Sequence, residues 1–156
     1  INPWITCVER MGLLEVVAEN FGMDLFSKER DFILPNLNNH GPVNYCEEMP
    51  KVFRLSRINL CPTLRGIRSG IPLRAIDIMG AGGFILCSPQ PELTDYFRSD
   101  TDIVCYESIE DAVEKAKFYL THEESRTRIL QNAYAIVNKH FTYPERLSSI
   151  FQTVGL

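Results

Sequence analysis

Ile58-Asn59-Leu60-Cys61-Pro62, the loop Thr63-Leu-Arg-Gly-Ile-Arg-Ser-Gly70, a helical run from Pro72 to about Ala81, then Gly82-Gly83 and Phe84-Ile85-Leu86-Cys87 read in order as strand, loop, helix and strand. Both strand segments are apolar at nearly every position. Strands without polar alternation are buried on both faces, as in a parallel sheet covered by helices. Pro62 stops the first strand because it has no N–H to give to a ladder, and the paired glycines break the helix.

The pattern extends in both directions. Upstream, Thr6-Cys7-Val8-Glu9 has the form of a capping box, and Val8, Met11, Leu14, Val17, Ala18 and Phe21 follow at helical spacing, with Gly22 placed to end the helix. Met23 to Phe26 and Phe32 to Leu34 are short strand candidates, and Pro50 opens a helix through Val52, Phe53 and Leu55. Downstream, Asp102 to Tyr106 predicts a strand. Ser108 to Asp111 caps a helix carrying Ile109, Ala112, Val113, Ala116 and Leu120. Thr121 to Glu124 offers a second capping box, for a helix through Ile129, Leu130, Ala133, Tyr134 and Val137, and a last helix spans Pro144 to Val154. There is no internal repeat. Helices alternating with buried strands predict an α/β, Rossmann-like, doubly wound parallel sheet in a single domain over residues 1–156. In such sheets a ligand lies outside the carboxyl ends of the strands, which selects the loops after Leu34, Cys61, Cys87 and Tyr106.

Composition narrows the classes. A net charge of −4 argues against a nucleic-acid partner, which calls for a basic excess. No apolar run approaches the roughly 20 residues needed to span a bilayer, and no secretory leader is visible. Cys7, Cys46, Cys61, Cys87 and Cys105 show no metal-ligand spacing, so no metal site is expected; an odd, unpatterned set fits free thiols and a cytoplasmic location. The chain opens on Ile1, which reads as a piece cut from a longer protein.

Local charge is concentrated. Arg54, Arg57, Arg65, Arg68 and Arg74 lie in a stretch, 54–74, that contains no Asp or Glu. The loop leaves a strand end and runs into a helix start, where orphan backbone N–H groups attract phosphate. Gly70 permits close backbone approach, and arginines grip phosphate oxygens in pairs. An anion site is one reading; arginines paired with acids elsewhere is the other. Asp77 sits one turn into the helix, where it could take ribose hydroxyls or pair with Arg74.

The run Glu48-Met-Pro-Lys-Val-Phe-Arg-Leu-Ser-Arg-Ile-Asn-Leu60, followed by Thr63 to Arg74 and Ala75-Ile-Asp-Ile-Met-Gly-Ala-Gly-Gly-Phe-Ile-Leu86, resembles the C-terminal domain of CgeB-like (spore maturation protein type) glycosyltransferases. Pro91-Glu92-Leu93, Tyr106 to Val113, Thr6 to Arg10 and His40 to Val43 continue the likeness in the same order. The resemblance implies the C-terminal half of a GT-B fold, with a nucleotide diphosphate sugar as substrate, no metal or other cofactor, and an N-terminal acceptor domain absent from this chain. It implies Arg65, Arg68, Ser69, Gly70 and Arg74 around the donor phosphates, Asp77 at the ribose, and the turn Asn39-His40-Gly41 at the base. In the wider group two glutamates eight positions apart handle the donor. Asp77 keeps the second acid, whereas Ser69 stands where the first should be and lacks the charge. His40 alone, after a strand, reads as a structural hydrogen-bonder.

The expectation is therefore a hexosyltransferase-like enzyme in the full protein, with the isolated domain inactive and no catalytic residue assigned within it. The rival is a degenerate domain kept as a protein-interaction module, for which Ser69 speaks.

Overall fold

The computed structural model describes residues 3–63 and 69–155, with side chains from residue 7 onward. In chain order the elements are α1 (Pro3–Phe21), β1 (Met23–Leu25), β2 (Leu37–Asn39), α2 (Met49–Leu55), β3 (Asn59–Cys61), α3 (Leu73–Gly80), β4 (Ile85–Cys87), α4 (Pro91–Thr94), β5 (Val104–Cys105), α5 (Ile109–Thr121), α6 (Glu123–His140) and α7 (Tyr143–Val154). Every ladder is parallel. β3, β4 and β5 form one sheet in that order, with Cys61 opposite Cys87 and Cys87 opposite Cys105. β1 and β2 form a second, two-stranded sheet with Met23 opposite Leu37. The doubly wound α/β class expected from the apolar strands is what the chain adopts, with its strands in two parallel sheets among the described residues.

The side-chain period of two divides β3–β5 into two faces. Cys61, Ile85, Cys87 and Ile103 meet Ala75, Ile78 and Met79 of α3 and Ala133 and Val137 of α6. Phe84, Leu86, Val104 and Tyr106 meet Leu13 and Val17 of α1, Ala112, Ala116 and Tyr119 of α5, and Ile129 of α6. Helices thus cover both faces, which explains why β4 is buried at every position. Asn59 is the polar exception at the start of β3: its buried Nδ2 donates to the Phe53 and Phe84 carbonyls at 2.9 and 3.1 Å, tying α2 to the sheet.

Three local expectations differ from the structure, and one short element had no expectation. Phe32 to Leu34 is no strand; the chain turns at Pro35-Asn36, with Asn36 at φ 57 and Leu37 N bonded to Leu34 O, and pairing begins only at Leu37. An apolar triplet outweighed a polar Leu-Asn-Asn strand in the sequence reading, yet Ile33 is 85% exposed. α1 begins at Pro3, so Thr6 lies inside the helix rather than capping it. Thr121 closes α5, its hydroxyl donating to Phe118 O at 2.9 Å, and α6 starts after His122 without a side-chain cap. α4, a single turn led by Pro91, had no periodic signal. Ser108 does cap α5, accepting from Asp111 N at 3.1 Å.

Candidate functional site

The loops leaving the carboxyl ends of β3, β4 and β5 enclose, with one side of α1, a cleft of about 690 Å³. Pro62 and Thr63 come from the first loop, Ser88 to Pro91 from the second, Tyr106 to Ile109 from the third, and Glu9, Arg10 and Leu13 from α1. Three of the four loops chosen by the strand-end rule therefore line it; the loop after Leu34 does not, since no strand precedes it. Thr63 N donates to Ser88 Oγ at 2.8 Å and fixes the first loop to the second. Burial pushes the Tyr106 phenol up to about 12, against the lowering effect of its hydrogen bond with Ser88, so it stays a neutral hydroxyl in the physiological range. Gln90 is buried, and its Oε1 has no partner among the described residues.

Of the sequence-predicted residues, none of the described ones lines this cleft. Arg65 and Arg68 lie outside the described residues. Ser69 and Gly70 are exposed, and Gly70 has φ +91 with open space around it, so its backbone conformation, not crowding, calls for glycine. Arg74 is exposed on the first turn of α3 and packs back on α2: its guanidinium lies 5.6 Å from the Phe53 ring centroid and donates to the Met49 sulfur. Among the described residues no ion pair joins it to Asp77. Instead Asp77 Oδ2 accepts a 2.8 Å hydrogen bond from Tyr45, whose phenol is raised above its ordinary value first by that bond. Arg74, Asp77 and Tyr45 form a corner outside the cleft lining. Tyr45 carried no periodic or motif signal; only its contact with Asp77 draws attention to it.

The turn Asn39-His40-Gly41 is largely self-satisfied. His40 Nε2 meets Asp24 Oδ1 at 2.7 Å, its ring stacks on Phe26 at 4.9 Å, and its N–H donates to Leu25 O. Asn39 Nδ2 donates to Glu29 O at 2.8 Å while its Oδ1 accepts from Gly41 N at 3.1 Å. Gly41 holds φ +79 with the Arg30 guanidinium against it. This is the structural hydrogen-bonding that a lone histidine after a strand leads one to expect.

The cysteines are free thiols, with Cys61 and Cys87 buried as small hydrophobes. Burial pushes Cys61 up to about 11, so at pH 8 it remains protonated and a poor nucleophile. Iodoacetamide at that pH should modify the exposed Cys7 and Cys46 and spare Cys61 until denaturant is added, as followed by peptide mass spectrometry. Labelling of Cys61 in the native protein at the rate of Cys46 would contradict its burial. Among the described residues no cluster of three or more His, Cys, Asp or Glu is disposed to hold a metal ion, and no helix is long and apolar enough to cross a membrane.

The chain belongs to the glycosyl transferase-like family, whose sequence profile matches residues 10–152. No curated protein matches it. Among solved structures it is similar to the C-terminal domain of a glycosyl transferase group 1 family protein, LpcC, from Francisella tularensis, at 15% identity and a TM-score of 0.67, over 92% of this chain and 83% of that one. It is also similar to Anabaena Alr3699/HepE, solved in complex with UDP-glucose, at 10% identity and a TM-score of 0.74, over 99% of this chain. The chain spans 46% of the HepE chain. Both likenesses show the fold, and they agree with the two helical layers and parallel strands described above.

Proposed function

We propose that this chain is the nucleotide-sugar donor lobe of a CgeB-like glycosyltransferase. The observation that carries this reading is the Tyr45–Asp77 contact: Asp77 stands where the family's second acid is expected, and its carboxylate already accepts a hydroxyl, the group a ribose would present. The diphosphate lies along Arg65, Arg68, Ser69, Gly70 and Arg74 at the start of α3. Charge builds on that leaving group as the glycosidic bond breaks, so guanidinium groups and amides placed beside it lower the barrier without a metal ion. The cleft at the strand ends, lined in part by Thr63, offers space within the roughly 300–1,000 Å³ range of ligand pockets.

A second, N-terminal lobe supplies the acceptor site. Two features support it: the chain spans less than half of the HepE chain, and α7 leaves Leu147, Ile150, Phe151 and Val154 about half exposed or more along one side. Five free thiols fit a cytoplasmic enzyme. Ser69, uncharged and exposed, is the observation that favours the rival, a binding domain that has lost transfer.

Titration calorimetry with UDP, GDP and TDP tests the donor reading. HepE was solved with UDP-glucose, which makes the uridine nucleotide the first to try. Weak binding of at least one nucleotide, with no sugar transfer by the isolated chain, is the expected result. Absence of heat with all three would remove the proposal.

A further inference from the structure

Tyr45 and Asp77 come from different connections, one leaving the carboxyl end of β2 and the other in the helix that follows β3. A hydrogen bond of 2.8 Å joins them across 32 positions of sequence. Neither residue belongs to the core, and Tyr45 is 51% exposed. A solvent-exposed phenol–carboxylate bond adds little to stability, since both groups are well served by water. Its main effect is geometric: it holds an aromatic ring beside a carboxylate, with the Arg74 charge close enough to act on the same phenol.

That pairing suits a nucleoside. Ribose hydroxyls on Asp77 leave the attached base next to the ribose, where an exposed ring can stack on it; every base has a flat face, and Tyr offers a matching one at small entropic cost. The turn Asn39-His40-Gly41 has less to give. The Asn39 amide is spent on Glu29 O and Gly41 N, and the His40 ring is held between Asp24 and Phe26.

We infer that Tyr45 is the platform on which the nucleobase of the donor stacks, and that Tyr45 and Asp77 together, rather than the 39–41 turn, hold the nucleoside. The assignment rests on the donor-lobe reading and goes further by naming the residue that meets the base. It is tested by calorimetry on the full 156-residue chain with UDP and with inorganic pyrophosphate, for wild type, Tyr45→Phe and Tyr45→Ala. Tyr45→Phe keeps the ring and should bind UDP within about threefold of wild type, while Tyr45→Ala should bind it about 10- to 100-fold more weakly, the range of one lost stacking contact. Pyrophosphate, which has no base, should bind all three alike. The inference is overturned if Tyr45→Ala binds UDP as well as wild type, or better, which would make the ring a cover over Asp77. It is also overturned if Tyr45→Phe falls as far as Tyr45→Ala, which would leave Tyr45 only a positioning residue. Failure of wild type to bind UDP, GDP, TDP and pyrophosphate alike is a separate outcome: it removes the donor lobe itself, and the platform with it.

Discussion

Gly83→Ala should destabilise the domain by about 3 kcal/mol, combining overpacking with the loss of a buried hydrogen bond. A Cβ at this buried position would stand 2.6 Å from Phe53 O, 2.8 Å from Asn59 Nδ2 and 3.1 Å from Ile78 O. Two of those atoms are backbone and cannot swing aside. The third is the amide that links Phe53 to Phe84, so a methyl group there pries α2 from the sheet and strands a buried donor. Gly83 N also donates to Ile78 O at 2.9 Å, which closes α3 against the start of β4. Urea unfolding read by circular dichroism measures the effect. An unchanged midpoint with an unchanged slope would show that the junction can widen at no cost.

Asp77→Ala should abolish most of the nucleotide affinity while leaving the fold intact. Asp77 is only partly buried, and its side-chain partner among the described residues is the Tyr45 hydroxyl, which water can replace. A charged acceptor facing ribose hydroxyls contributes about 1.5–3 kcal/mol, roughly 10- to 150-fold in affinity. Asp77→Asn keeps the shape and one acceptor and should fall between the two. Calorimetry with UDP decides, with a thermal melt to confirm folding. Wild-type affinity in Asp77→Ala would show that the ribose lies elsewhere, and the cleft between Arg10 and Gln90 would become the leading location.

How much of this was legible beforehand depends on whether a residue signals through its own period or through a partner far along the chain. The β3–α3–β4 unit was plain, because Ile58 to Cys61 and Phe84 to Cys87 are apolar throughout and Pro62 and the Gly82-Gly83 pair punctuate them. Helix caps were half legible: Ser108 caps as its side chain predicts, whereas Thr121 turns its hydroxyl back into α5, a choice made by where α5 ends and not by the four-residue pattern. β2 was missed because Leu37-Asn38-Asn39 has little strand propensity and is held by pairing with β1 and by the Asn39 amide. Of the proposed donor site, the Gly-Arg loop and Asp77 stand out in the sequence by composition and spacing. Tyr45 does not, since nothing local distinguishes it from any other loop tyrosine. The contacts of Arg74 with Phe53 and Met49 were not legible, since they depend on how α2 lies against α3.

α6 gives Ile129 to one packed cluster and Ala133 and Val137, about one and two turns further along, to the other. A single rod is thus clamped by both halves of the interior. Neither half can melt while the other stays native without tearing that rod from its seat, so the two behave as one cooperative unit, and damage on the α1 side is felt on the α3 side.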